Sequence, residues 1–374
     1  MHTPAQRLVY ADSLRGGASL MVAVFSHYHH FSGAFQPGGV AGTDGPFWGN
    51  ILFRNLHYNA YLAVDFFFIL SGLIFTRIYA TSIRDRSVSA WSFFVRRASR
   101  LYPIHLLTLC LTAVLVYAFH ARMGRFPVYE KNGVWDFVAN LLFLQDGVVS
   151  MGYSFNGPSW SLSVEVMLYV WFFFMARRGL LSPWAYASLL IGVALYLSGP
   201  IPGWRAIFPT VEVARGLIGF GLGILIQRHG RSPAPYVAMA ALLGVALLPW
   251  VRTLIPIQVA LAWCVFGLLL LALPNWHSLR RLLEIRPLVW LGDISLSVYL
   301  IHFPLQVAMM LVLDAFGMPI PYASPWFMLS YAMLILLLSG PLHFWFERPA
   351  QSFLRRRLEA PPPLRQRPIP ADAR

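Results

Sequence analysis

Three histidines in four positions, His27, His29 and His30, close an apolar run that opens near Arg15, in the stretch ADSLRGGASLMVAVFSHYHHF. Imidazole is the usual general base near neutral pH, and a guanidinium holds charge at any physiological pH. On one helix Arg15 and His27 stand about 18 Å apart, at 1.5 Å per residue. Further ionisable residues interrupt later apolar runs: Asp65 in YLAVDFFFILSGLIFTR, Glu165 in PSWSLSVEVMLYVWF and His302 in LGDISLSVYLIHFPL. A fourth group is cationic, with Arg96, Arg97 and Arg100 in FFVRRASRLYP. Arg96 and Arg100 are spaced to share a helix face, and guanidinium forks match phosphate geometry. The chemistry these types allow is proton transfer at the histidines and phosphate binding at the arginines.

The elements that must position them are membrane helices. The chain has 374 residues, 57% of them hydrophobic and only 12% charged, against about 25% charged in soluble proteins. Mean hydropathy is +0.59. Runs near the ~20 residues needed to cross a bilayer lie at 14–33, 59–79, 101–120, 161–177, 181–199, 210–227, 234–251, 255–273, 289–313 and 325–346. The expected fold is therefore all-α and membrane-embedded, with about ten spans. The shorter apolar stretch 135–144, inside a re-entrant or interfacial segment near 135–147, does not count as a crossing. Net charge is +14, and every cation except Lys131 is Arg. With both termini cytoplasmic, most of these arginines fall on the inner side, as the positive-inside rule requires. Placed in short loops between apolar runs, they mark topology and anion binding, and no nucleic-acid partner is expected. Cys110 and Cys264 sit in apolar stretches, so neither a disulfide framework nor a metal site is expected. The first apolar run has no cleavage pattern and reads as a retained span. Residues 1–357 form one expected domain, and 358–374 a Pro/Arg-rich cytoplasmic tail expected to be disordered.

Each candidate has a plainer reading. Arg15 and the histidines would also serve as interfacial anchors, although three imidazoles so close together make an unusual anchor. Ser71–Gly72 suits helix packing, with Ser71 kept as a donor-binding candidate. Asp65 would orient an imidazole or pair with Arg215. Glu165 lacks the Ser or Thr three residues earlier that would make it a capping-box residue. Glu347–Arg348 reads as a local ion pair. Trp48, Tyr58, Trp160 and Trp204 would stack on sugar rings or form the interfacial belt. With arginines inside and His27, Asp65, Glu165 and His302 at outer depth, the pattern suggests group transfer across the membrane.

In order along the chain, DSLRG…H, VDFFFILSG, FVRRASRLYP, PSWSLSVE, RGLIGFGLG, LGDISLSVYLIHFPL and FERPA resemble the motifs of the acyltransferase family 3 membrane proteins. The resemblance runs from Tyr10 to about Arg357. It implies a membrane-bound O-acyltransferase of the bacterial inner membrane. The donor would be cytoplasmic acetyl-CoA or another acyl-CoA, and the acceptor a hydroxyl of an extracytoplasmic polysaccharide or lipid-linked glycan. Membrane lipid and glycan-assembly machinery are the further partners implied. By position, His27 would be the catalytic histidine with Arg15 its partner, Arg96, Arg97 and Arg100 would contact coenzyme A phosphates, and Glu165 and His302 would join the site. One departure concerns geometry. The family usually has ten residues between the Arg and the His; here eleven intervene, which swings His27 by about 100°. A π-bulge near Gly16–Gly17, a late helix start, or His29 in place of His27 would each repair this, and the bulge is favoured. A covalent acyl-histidine relay stays open. The rival readings are a transporter or flippase of a glycan or acyl precursor, for which no internal repeat is visible, and an acyltransferase acting on a small molecule or lipid.

Overall fold

The computed structural model describes residues 8–31, 51–146, 152–198, 211–247 and 257–359. Among these there are helices and no strands. They are α1 (Val9–Leu20), α2 (Ile51–Asn59), α3 (Ala63–Arg84), α4 (Ala90–Met123), α5 (Val134–Leu141), α6 (Trp160–Arg177), α7 (Leu181–Ser198), α8 (Val211–His229), α9 (Ala234–Leu247), α10 (Ile257–Ala272), α11 (His277–Leu283), α12 (Arg286–Asp293), α13 (Ser295–Ala315), α14 (Pro325–Pro341) and α15 (Arg348–Leu358).

Five helical stretches are long and apolar enough to cross a membrane, and a sixth if α10 and α11, bent by 100°, count as one. Among the described residues, then, five or six helices meet the length and apolarity of a span, beside about ten apolar runs in the sequence. Two of the expected spans are shorter helices, Leu181–Leu197 and Ala234–Leu247. The expected 289–313 run is broken into α12 and α13 at Ile294. The half-length stretch becomes α5, whose eight residues rise about 12 Å and cannot cross a bilayer. Large apolar side chains on the outside of the bundle, such as Trp345 (80% exposed) and Trp326 (75%), need lipid around them. The protein is a multi-pass membrane protein.

Local rules explain the long helices. Ser89 Oγ accepts from Ser92 N at 3.1 Å to cap α4, and Gly124 ends it with φ of 71°, the left-handed turn that glycine allows. Pro304 inside α13 removes the N–H that would meet Leu300 O. Asn156 Nδ2 supplies the missing donor at 2.9 Å.

Helix α8 is the centre of one apolar cluster. Apart from Arg215 it is apolar from Val213 to Ile226 and buried without a break there, as an enclosed helix should be. It crosses α3 almost backbone to backbone. A Cβ on Gly72 would lie 2.1 Å from Phe220 O, and one on Gly223 2.0 Å from Ile69 O. Small residues allow such approach between membrane helices, where packing rather than the hydrophobic effect drives association. A second cluster surrounds the end of the first helix, with Tyr28, Phe31, Phe303 and Tyr331 buried together.

The first helix changes pitch. After α1 the chain continues as a π-helix, Met21–Ser26, closed by a five-residue bond from His27 N to Val22 O at 3.1 Å. The wider turn expected near Gly16–Gly17 is found instead at Met21–Ser26, and Gly16–Gly17 lies inside regular α1.

Candidate active site

The histidine end is fixed by α13 and by backbone carbonyls. His302 Nδ1 lies 2.7 Å from Tyr299 O. A carbonyl only accepts, so Nδ1 carries the proton and a neutral His302 presents a lone pair at Nε2. His27 Nδ1 sits 2.8 Å from that Nε2 and must donate to it. The network therefore assigns the His27 lone pair to Nε2, the tautomer of a general base. The two rings lie nearly parallel, 7° apart, with centroids 5.0 Å apart. Gln306 Nε2 donates to His27 O at 2.9 Å, and its Oε1 accepts from His30 Nδ1 at 3.1 Å. His30 lies parallel to His27 on another side, with centroids 5.2 Å apart. His29 turns its Nδ1 to Ser26 O at 2.8 Å, a carbonyl of its own segment. Of the two histidines the sequence left open, His27 is the one joined to His302.

Neither candidate carboxylate touches an imidazole. Asp65 is fully buried and pairs with Arg215, Oδ2 to Nη2 at 2.6 Å and Oδ1 to Nε at 3.1 Å. Trp263 Nε1 donates to the same carboxylate at 3.0 Å. Glu165 accepts from Ser71 Oγ at 2.7 Å and from Tyr169 OH. These carboxylates serve other sites, and His302 with the Tyr299 carbonyl takes the orienting place expected for them.

The arginine end is a basin of about 470 Å³ whose cations are Arg15, Arg77, Arg97, Arg100, Arg348 and Arg355. Gly16 sets the place of Arg15: a Cβ there would lie 2.6 Å from Gly292 N, so α1 runs against α12. Arg15 then reaches Ser295 Oγ at 3.0 Å, Gly292 O at 3.2 Å and Asp12 at 3.0 Å. Arg97 donates to Tyr79 OH at 2.7 Å and packs over the Phe75 and Tyr79 rings, while its buried Nε has no hydrogen-bond partner among the described residues. Arg96 does not line the basin; it pairs with Glu359 at 2.7 Å. Glu347 also departs from expectation. It accepts from Ser297 at 2.6 Å and lies 2.9 Å from His343, while Arg348 covers Phe344.

Between the ends lies a narrow cavity of about 90 Å³, lined by Ser71, Glu165, Tyr169 and a set of Phe and Leu side chains. It shares Arg15, Arg100, Ser295 and Ile74 with the basin. At the far side, a cavity of about 360 Å³ is lined by His27, Tyr61, Tyr129, Trp160 and Arg215. Trp48 and Trp204 lie outside the described residues, and Tyr58 is 54% exposed. Helix α13 ties the series together. Ser295 meets Arg15, Tyr299 meets Ser161 at 2.8 Å, His302 meets His27 and Gln306 meets His30. Steps of four, three and four put these residues on one helix face. Among the described residues no group of three or more His, Cys, Asp or Glu is arranged to hold a metal.

Arg215 is the residue the sequence left in the background, named only as a partner for Asp65. The signal was there: an arginine inside the apolar RGLIGFGLG stretch is as costly in lipid as a histidine.

Residues 8–344 match the family described as an acyltransferase domain. The chain is 29% identical over 335 residues to the acyltransferase MdmB of Streptomyces mycarofaciens, which covers 79% of this chain and 82% of that protein. It is 24% identical over 279 residues to the peptidoglycan O-acetyltransferase OatA of Listeria monocytogenes, covering 66% of this chain but only 44% of OatA. No solved structure matches the chain. The chain belongs to the acyltransferase family 3 membrane proteins and is a membrane O-acyltransferase.

Proposed function

We propose that the protein transfers an acyl group, acetyl in the first instance, from cytoplasmic acyl-CoA to a hydroxyl of an extracytoplasmic glycan. The observation that carries this reading is the His27 Nδ1–His302 Nε2 contact, which together with the Tyr299 carbonyl leaves the His27 lone pair at Nε2. The arginine basin suits the donor. Coenzyme A brings a pyrophosphate and a 3′-phosphate, and the buried Nε of Arg97, which lacks a partner among the described residues, is a donor suited to such an anion. In this orientation the basin faces the cytoplasm and the histidines the outer side of the bacterial inner membrane, as the arginine distribution suggests.

The thioester reaches the histidine end along the narrow cavity. His27 Nε2 takes the proton of the acceptor hydroxyl as its oxygen bonds to the thioester carbonyl carbon. The C–S bond then breaks, and the thiolate leaves with the proton that His27 held. His302 Nε2 accepts the Nδ1–H throughout and stabilises the imidazolium. A glycan acceptor is supported by Tyr61 and Trp160 lining the outer cavity, and by OatA being named for acetylation of peptidoglycan. The test is labelled acetyl transfer by the purified full chain in nanodiscs, with water, simple hexoses and N-acetylglucosamine oligomers as acceptors. Consumption of acetyl-CoA with label on a sugar oxygen is expected. A protein that neither binds nor consumes any acyl-CoA would overturn the reading in favour of a transporter.

A further inference from the structure

Arg215 is held more firmly than a structural cation needs to be, and it is not used up. A guanidinium has five N–H donors. Nε–H and one Nη2–H go to the two oxygens of Asp65, and the other Nη2–H goes to Tyr61 O at 3.3 Å. Among the described residues Nη1 has no hydrogen-bond partner. The guanidinium is also flanked by rings, Tyr61 at 5.3 Å and Trp160 at 5.7 Å from its carbon. It lines the same cavity as His27. A buried ion pair is weak evidence for stability, since desolvation offsets most of the Coulombic gain. A pair of unused donors on a cavity shared with His27 has another use.

We propose that the Nη1 donors of Arg215 stabilise the oxyanion of the acyl-transfer intermediate; this rests on the acyl-CoA reading above. When the acceptor oxygen bonds to the thioester carbonyl carbon, the carbonyl π electrons move onto its oxygen. Arg215 Nη1 donates hydrogen bonds to that oxygen. On collapse the C=O bond re-forms, the C–S bond breaks, and the thiolate takes the proton from His27 Nε2. Asp65 is then a positioning residue. Because it neutralises Arg215, the pair carries no net charge to trap a ground-state carboxylate or phosphate. Its fixed N–H dipoles act on charge that develops only in the transition state.

Arg215→Lys tests this, because lysine keeps the charge next to Asp65 but loses the Nη1 donors. With acetyl-CoA and the acceptor that wild type modifies fastest, water included, kcat should fall by about 10²-fold or more, the cost of losing oxyanion donors. KM for both substrates and equilibrium binding of labelled acetyl-CoA should stay near wild type. Asp65→Asn should lower kcat by less. Arg215→Gln is the harsher second variant, with retained acetyl-CoA binding as its check of folding. Wild-type kcat in Arg215→Lys would overturn the proposal. So would a raised acceptor KM at unchanged kcat, which marks an acceptor-binding residue. Loss of acetyl-CoA binding in both Arg215 variants would make the residue structural and overturn it as well. A wild type that consumes no acetyl-CoA fails the underlying reading, whereas an active wild type with an equally active Arg215→Lys fails this inference alone.

Discussion

The two ends of α13 hold polar groups in opposite ways. At the arginine end, long side chains converge on a wide basin from α1, α3, α4 and α15, and several meet acids or rings that they could leave. At the histidine end, short side chains are pinned by groups that cannot move. His302 is set by a carbonyl of its own helix, His27 by His302, and the His27 carbonyl by Gln306. Tyr331 OH adds a further tie, 3.2 Å from both Ala23 O and His302 O. An adaptable cationic mouth suits a phosphate-bearing substrate that must enter and leave. A fixed imidazole suits a proton transfer, for which a misplacement of 1 Å costs about 100-fold. Losses at the histidine end should therefore be large and appear in kcat, while losses at the arginine end should be small, shared and visible in KM.

The sharpest way to break this contrast is to disturb helix register. Inserting one alanine between Leu20 and Met21 adds a second extra residue and turns His27 away from His302, which should cost about 100-fold or more in kcat. Deleting Met21 instead lets the π-helix relax to an α-helix without rotating His27, and kcat should stay within about tenfold of wild type. Equal losses in the two variants would separate the π-helix from function. Next in size is His302. Alanine there removes the acceptor that fixes the His27 tautomer, and kcat should fall by about 10–100-fold with acetyl-CoA binding intact. His302→Gln, whose Oε1 can accept from His27 Nδ1, should recover part of that loss; no recovery would mean that His302 acts in some other way. The smallest effect is expected in the basin. Arg100→Ala should raise the acetyl-CoA KM by about fivefold, the scale of one solvent-accessible charge pair. That difference should shrink as salt screens it, and a kcat effect independent of salt would contradict the contrast.

How legible this was in the sequence follows the same division. Helical class and membrane character lay in composition and run length, because lipid-facing and enclosed helices both need apolar side chains. Apolar length alone does not reveal where a run breaks, as the expected 289–313 run does at Ile294. His27, His302, Asp65 and Glu165 stood out because each is costly in lipid, yet cost says nothing about partners. Asp65 met Arg215, one of the two partners its position suggested, across 150 residues of chain, while Glu165 turned to Tyr169 and, across 94 residues, to Ser71. Spacing did give the one-residue mismatch between Arg15 and His27. It could not give its location, because a π-helix is settled by what the segment packs against. Arg96 was read onto the face of Arg100, but its partner Glu359 lies 263 residues away.

The central claim is that His27 Nε2 moves the proton. The direct measurement is acetyl transfer from labelled acetyl-CoA by wild type, His27→Ala and His29→Ala in the same nanodiscs, with donor binding measured in each. A loss of kcat of about 10³-fold or more is expected in His27→Ala alone, with binding unchanged and His29→Ala close to wild type. Full activity in His27→Ala, or loss confined to His29→Ala, would contradict it.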